Sequence, residues 1–424
     1  MLIQFTVKNF MYIRDEATLS LVKAKGNELP ENTFQLDVPG KTELLRSAAV
    51  YGANAAGKSN LIRALKTMRS IVLKSASKGQ AGEELDVTPF LFDELSADQP
   101  CEFEIIFVAG CVRYQYGFTA TRDRITEEWL LAYPNGPKQR WIERSFDAET
   151  QSYCWGSMDK LTGKKKVWQE ATRGNALFLS TAVQLNNQQL IPVFHWFAEV
   201  MHVAGLGGWN EEFTISLCED KQKINHVMAF LKAADVGIDG IAVEKQKFDP
   251  ASLPNDMPDV IKRQVEEEFK DKTLSNVKTV HTTARGKQVL LDMSDESDGT
   301  QKLFSFAGPW LDTLEHGYVL IIDELHDNLH PLMVQFLVKL FHTSDSNPNN
   351  AQLVFTTHDT SILNQEIFRR DQIWFCEKGE EQETELYPLT DFSPRKGVES
   401  LERGYLSGRY GALPFIKPAR IVAG

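Results

Sequence analysis

Cysteine is scarce in this chain. The five in 424 residues are Cys101, Cys111, Cys154, Cys218 and Cys376, and no two are spaced as a C-x-x-C pair. Neither a zinc site nor a disulfide framework is therefore encoded, and a reducing, cytoplasmic setting is expected. Long apolar runs are missing too. None approaches the roughly 20 residues that a membrane-spanning helix needs, so no membrane partner is expected. The opening Met-Leu-Ile-Gln-Phe-Thr-Val-Lys alternates like a strand and lacks the apolar core of a signal peptide. A surplus of positive charge is also absent. The net charge of −12 argues against a surface that binds nucleic acid throughout, though it leaves room for a local basic patch. No repeat or low-complexity segment is evident. The length fits two or three domains, or one large domain with an insertion.

What is present is sharper. Residues 52–59 read Gly52-Ala53-Asn54-Ala55-Ala56-Gly57-Lys58-Ser59, a full G-x-x-x-x-G-K-S phosphate loop. The apolar Ala48-Ala49-Val50-Tyr51 precedes it, and the helix-like Asn60-Leu61-Ile62-Arg63-Ala64-Leu65-Lys66 follows. Strand, loop and helix are the context that the motif requires. The glycines let backbone N–H groups face a β-phosphate, Lys58 reaches the β- and γ-phosphates, and the Ser59 hydroxyl ligates Mg²⁺. The helix N-terminus adds partial positive charge. Residues 52–60 are thus expected to bind a nucleoside triphosphate.

Two further apolar runs end in groups suited to the same chemistry. Tyr318-Val319-Leu320-Ile321-Ile322 leads into Asp323-Glu324. A buried parallel strand is expected, with its acids at the carboxyl end, where such sheets bind ligands. Asp323 is the candidate Mg²⁺ holder and Glu324 the candidate general base toward water. Gln352-Leu353-Val354-Phe355-Thr356-Thr357 leads into His358, a candidate for contact with a γ-phosphate or the attacking water, while Asp359 or Thr360 reads as the cap of a following helix. Upstream, Ser297-Asp298-Gly299-Thr300 precedes a helical stripe of Leu303, Phe306, Ala307, Trp310 and Leu311. By itself this is a helix cap.

Elsewhere, alternation at Cys101–Phe107 and Val112–Phe118 predicts a hairpin, and Trp129–Tyr133 with Trp141 predicts another about Pro134-Asn135-Gly136. Helical stripes follow. One comprises Leu190, Phe194, Phe197 and Met201, with Pro192 in the first turn. The second comprises Ile224, Val227, Met228 and Leu231, and the third Val260, Ile261, Val265 and Phe269. They are too short for a long coiled coil and read as core faces. Strands return at Val277–Val280 and Gln288–Leu291, and the last third alternates strands with helices as in α/β architecture.

In this order the motifs resemble the ATP-binding-cassette ATPases, in particular the SMC, RecF and OLD-like branch. The phosphate loop, Ser297-Asp298-Gly299-Thr300-Gln301 as signature, Asp323-Glu324, Asp327-Asn328-Leu329-His330-Pro331 as D-loop region, and His358 carry the likeness, together with the opening Val7-Lys8-Asn9-Phe10. Ser180–Asn187 and Gly408–Phe415 are similar to the RloA/AbiLi-type ATPases of bacterial defence islands. Asp298 stands where transporters have Gly, Met11 where many SMC-like relatives carry Arg, and no Q-loop glutamine is placed.

The resemblance implies an α/β fold: a P-loop head of the cassette type, with a mixed sheet core, an antiparallel β subdomain and an inserted, mainly helical lobe. The expected divisions are 1–125 (phosphate-loop lobe), 126–275 (inserted lobe), 276–390 (lobe with signature, Asp323-Glu324 and His358) and 391–424 (basic tail). It implies ATP and Mg²⁺ as ligands. It also implies a homodimer or higher even oligomer, in which Ser297, Asp298, Gly299 and Thr300 of one copy close over the nucleotide of another. OLD nucleases continue into a metal-binding Toprim domain. Only about 35 residues follow Leu389 here, fewer than such a domain needs, so a separate nuclease-like effector is the expected partner. The tail residues Arg395, Lys396, Arg403, Arg409, Lys417 and Arg420 suit nucleic acid, an acidic partner, or plain solvent.

Overall fold

The computed structural model describes residues 1–38, 42–204, 209, 211–247, 257–269 and 273–414. Two compact units divide the chain. The first comprises 1–207, 313–327 and 331–424, and the second 208–312 with 328–330.

Two large sheets build the first unit. A seven-stranded antiparallel sheet runs in the spatial order 152–155, 139–147, 125–133, 112–120, 101–109, 2–8 and 17–20. Along Cys101–Ala109 buried and half-buried residues alternate, the period-2 mark of a sheet with one face on the core. The second sheet is mixed, in the order 201–204, 319–322, 352–356, 47–51, 373–378 and 384–388. Its first five strands are parallel, and only the last turns back antiparallel. Ser47–Tyr51, Val319–Ile322 and Gln352–Thr356 are buried along their whole length, which is why they read as continuous apolar runs.

The helix Lys58–Lys74 connects these layers. Its Leu61, Leu65, Met68 and Val72 join Phe5 and Phe103 of the antiparallel sheet and Val319 and Val354 of the mixed sheet in one apolar cluster. Burying a side chain of that size contributes roughly 1.5–3 kcal/mol, so the helix that follows the phosphate loop is firmly seated.

The expected divisions need correction. Residues 125–133 pair with 112–120 along their length and continue the antiparallel meander, and 139–147 and 152–155 extend it. Leu177, Phe178, Leu190, Trp196 and Phe197 belong to the same cluster as the phosphate-loop helix. The span 126–275 is therefore no separate lobe, because its first 80 or so residues complete the first unit's core. Residues 276–312 fall in the second unit instead. That unit carries the helices Glu212–Cys218, Lys223–Ala233 and Asp259–Phe269 and most of the helix Asp298–His316, together with a three-stranded antiparallel sheet, 240–247, 273–282 and 288–292.

The stripe ending at Met201 is also shorter than expected. The helix Ile191–His195 widens into a π-turn, Trp196–Val200. Arg69 takes the carbonyls of Phe197 and Ala198 at 2.7 and 3.0 Å, and Met201 opens a strand paired with Val319. In the third stripe Ile261 is exposed; the side chains of Val260, Val265 and Phe269 lie outside the described residues. Within the expected basic tail, residues 392–414 pack on the first unit. Tyr405 and Tyr410 are buried against Phe375, and Arg409 pairs with Glu399. Lys417 and Arg420 lie outside the described residues, as do Phe415 and the rest of the last ten.

Candidate nucleotide site

The phosphate-loop strand lies centrally in the mixed sheet, and the strand before His358 separates it from the strand before Asp323. Neighbouring strands lie about 4.8 Å apart, so three motifs distant in sequence meet at one carboxyl edge. Asn54–Asn60, Glu324 and His358 line a single cavity of about 490 Å³.

Gly57 stands at the N-cap with φ 103° and offers no side chain to cap the helix, so the first N–H groups of Lys58–Lys74 border the cavity uncapped. A side chain at Gly57 would need a left-handed backbone and would overlap Thr384. At Gly52 a Cβ would overlap the Cys376 carbonyl. Both glycines are thus required by close approach of the hairpin 373–388 as well as by the loop. Lys58 is buried and donates to the carbonyls of Gly52 (2.7 Å) and Ala53 (3.0 Å). Burial lowers its pKa; nearby Cys376, Glu324 and Asp323 favour the charged form.

Thr356 organises the acids. Its hydroxyl donates to Asp323 at 2.6 Å and accepts the Glu324 N–H at 2.8 Å. Glu324 itself adopts φ 54°, a conformation uncommon for a non-glycine residue and characteristic of functional loops. One buried hydroxyl thus holds the Asp323 carboxylate and the Glu324 backbone through two hydrogen bonds. The next residue, Thr357, accepts the Asp359 N–H at 3.0 Å and lies 3.1 Å from His326 Nδ1. Asp359 in turn caps the turn 360–362, so the capping reading holds alongside the placement of His358.

Mg²⁺ suits this donor set. It is commonly held by one or two carboxylates together with substrate phosphates. Ser59 and Asp323 supply one hydroxyl and one carboxylate, and among the described residues no cluster of three or more His, Cys, Asp or Glu would hold an ion alone.

Ser297–Thr300 belong to the second unit. There the Ser297 hydroxyl accepts the Thr300 N–H at 3.2 Å and caps the helix Asp298–His316. Asn328–His330 group with the same unit.

A family model matches the segments that carry these motifs. Residues 47–153 and 225–364 match the family described as "AAA domain, putative AbiEii toxin, Type IV TA system". These segments contain the phosphate loop, Ser297–Thr300, Asp323-Glu324 and His358, and they cover more than half of the chain. The chain belongs to this family of AAA domains. Among curated proteins the sequence finds no match. Solved structures with similarity include the SMC head domain from Thermotoga maritima, at 12% identity over 91% of this chain and 98% of that one, with a TM-score of 0.40. A Pyrococcus furiosus Smc head bound to the C-terminal domain of ScpA has 10% identity over 96% and 98%, TM-score 0.38. The recombination mediator RecF has 11% over 91% and 98%, TM-score 0.33. At these values no substrate or partner passes from those proteins to this AAA-family chain.

Residues that carried no signal of their own also border the site. Tyr12 and Lys378 line the cavity, with the Lys378 ammonium 5.7 Å from the Tyr12 ring. Thr356, Thr384 and His326 contact the lining residues Glu324, Gly57 and His358. Only Thr356 had an available clue, a hydroxyl ending a strand beside the acid-bearing one. The others come from loops and a hairpin whose placement no motif encodes. Asp93 caps the short helix Glu94–Ala97, and the buried Asn9 side chain donates to the carbonyls of Ser96 and Gln99.

Proposed function

We propose that this chain binds ATP with Mg²⁺ and hydrolyses it, and that two copies close head to tail around the nucleotides as a switch. The observation that carries this reading is the shared cavity of the phosphate loop, Glu324 and His358. The uncapped helix N-terminus and Lys58 hold the phosphates. Glu324, its backbone fixed by Thr356, accepts a proton from the water that attacks the γ-phosphorus. His358 hydrogen-bonds the γ-phosphate or that water. Ser59 and Asp323 would hold Mg²⁺, which would supply positive charge to the phosphate oxygens. Ser297–Thr300 complete the site from the second copy in a two-fold assembly, with ATP favouring the closed dimer and hydrolysis releasing it.

The switch governs a separate effector, in the manner of the RloA/AbiLi-type defence ATPases. The resemblance of Ser180–Asn187 and Gly408–Phe415 to that group supports the role. Glu324→Gln tests the core of the proposal. It should bind ATP, hydrolyse it about 10²–10⁴-fold more slowly and accumulate as a dimer. Light scattering that finds only monomer with saturating ATP sinks the switch. DNA-stimulated hydrolysis with steep salt dependence would instead favour a RecF-like or SMC-like role on DNA.

A further inference from the structure

We propose that His326 is a positioning residue of the nucleotide site, holding the His358 imidazole in one orientation at the cavity it shares with Lys58 and Glu324. The proposal rests on the ATPase reading above. His358 is exposed, and among the described residues no hydrogen bond fixes its ring. What meets it is His326: the ring centroids are 3.8 Å apart and the planes are inclined at 71°, edge to face. His326 is far better anchored. It follows Leu325, which is buried and whose N–H donates to Thr356 O at 3.1 Å, and the turn closes with Asp327 N–H to Glu324 O at 3.0 Å. Its Nδ1 lies 3.1 Å from the Thr357 hydroxyl. The ring is therefore tied to both strand ends that carry the site, 319–322 through its own turn and 352–356 through Thr357.

The chemistry of the contact agrees. Burial first, and then His358 and Lys58, push His326 down to about 4, against the opposing pull of Asp359 and Asp327. At neutral pH it is an uncharged flat ring, which can pack on another imidazole without adding charge beside the phosphates. An exposed side chain has rotamer freedom that must be lost before it can act at a defined point. Contact with an anchored ring removes that freedom before nucleotide arrives.

Three substitutions separate the parts of this role. His326→Ala removes the ring, His326→Gln keeps a hydrogen-bonding group for Thr357 without the ring, and His326→Phe keeps a flat ring without the hydrogen bond. Hydrolysis kinetics, an ATP-binding titration, thermal melting and the His358 ring resonances in NMR spectra would be measured for each. The Ala and Gln variants should lose about tenfold in kcat with ATP affinity within twofold and melting unchanged, Phe should recover most of the loss, and the His358 resonances should shift in the Ala variant. Losses of kcat that follow lowered melting in all three variants, or unshifted His358 resonances, would overturn the proposal. A wild-type chain that binds ATP without hydrolysing it would refute the ATPase reading and leave the ring resonances to decide this one.

Discussion

Val319-Leu320-Ile321-Ile322 and Val289-Leu290-Leu291 have nearly the same composition and opposite surroundings. The first four are at most 1% exposed, whereas the second three are 36, 50 and 38% exposed. Both are strands. The first lies inside the mixed sheet, flanked by 201–204 and 352–356. Among the described residues the second pairs with 273–282 alone, at the edge of a three-stranded sheet in the other unit. A run held by neighbours on both sides can present Asp323 and Glu324 at a fixed point. An edge strand has one free side and few packing partners, so it is a poor base for catalytic groups. Apolar content is thus a necessary signal for a site-bearing strand and not a sufficient one.

That contrast can be broken or sharpened by substitution. Ile321→Ala should cost about 2–5 kcal/mol, a cavity in close-packed surroundings, read as a lower urea midpoint. Gly57→Ala should cost about 1–3 kcal/mol for its left-handed backbone, with a further loss of ATP binding as Thr384 and the loop are forced apart; calorimetry and nucleotide titration check it.

A pH titration tests the buried side of the same sheet. His342, hydrogen-bonded with Ser47 of the phosphate-loop strand at 2.8 Å, is held by burial at about 3, against 6.5 as the ordinary value. Between those values the unfolded chain binds the extra proton. Stability from this group is therefore full above about pH 6.5 and is lost as pH falls toward 3. His342→Asn should flatten that part of the curve in urea melts recorded from pH 7 to 4. His326, lowered by burial to about 4, acts in the same direction.

Smaller effects are expected in the second unit. Ser297→Ala removes the cap of the helix Asp298–His316 and should cost about 1 kcal/mol. Leu290→Ala should change stability by no more than about 0.5 kcal/mol. A loss there as large as at Ile321 would mean that the edge strand is covered in solution, and the comparison between the two strands would fail.

The legible parts of this protein were those written in local patterns. The phosphate loop, the strands before Asp323 and His358 and the hairpins about 110 and 135 follow from fixed spacing, continuous apolar runs and turn residues. The chain's division was not legible. Residues 126–204 look heterogeneous in sequence, yet their strands extend an existing sheet and their helices fill an existing core. Burial depends on partners that local periodicity does not name. The same limit hid His326, whose role lies in a ring contact across 32 positions of sequence.

Sequence alone determined that a phosphate-binding loop precedes a helix, that two apolar strands end in Asp323-Glu324 and in His358, and that the chain belongs among AAA domains. Covalent order is enough for these, because backbone conformation and side-chain chemistry are set within a few residues. Tertiary structure decided the rest. It set Thr356 between the two acids, pressed Thr384 against Gly57, laid His326 against His358, and exposed one apolar strand while burying another. Each of these depends on which distant segments pack together, and packing is decided by the whole chain's competition for buried surface.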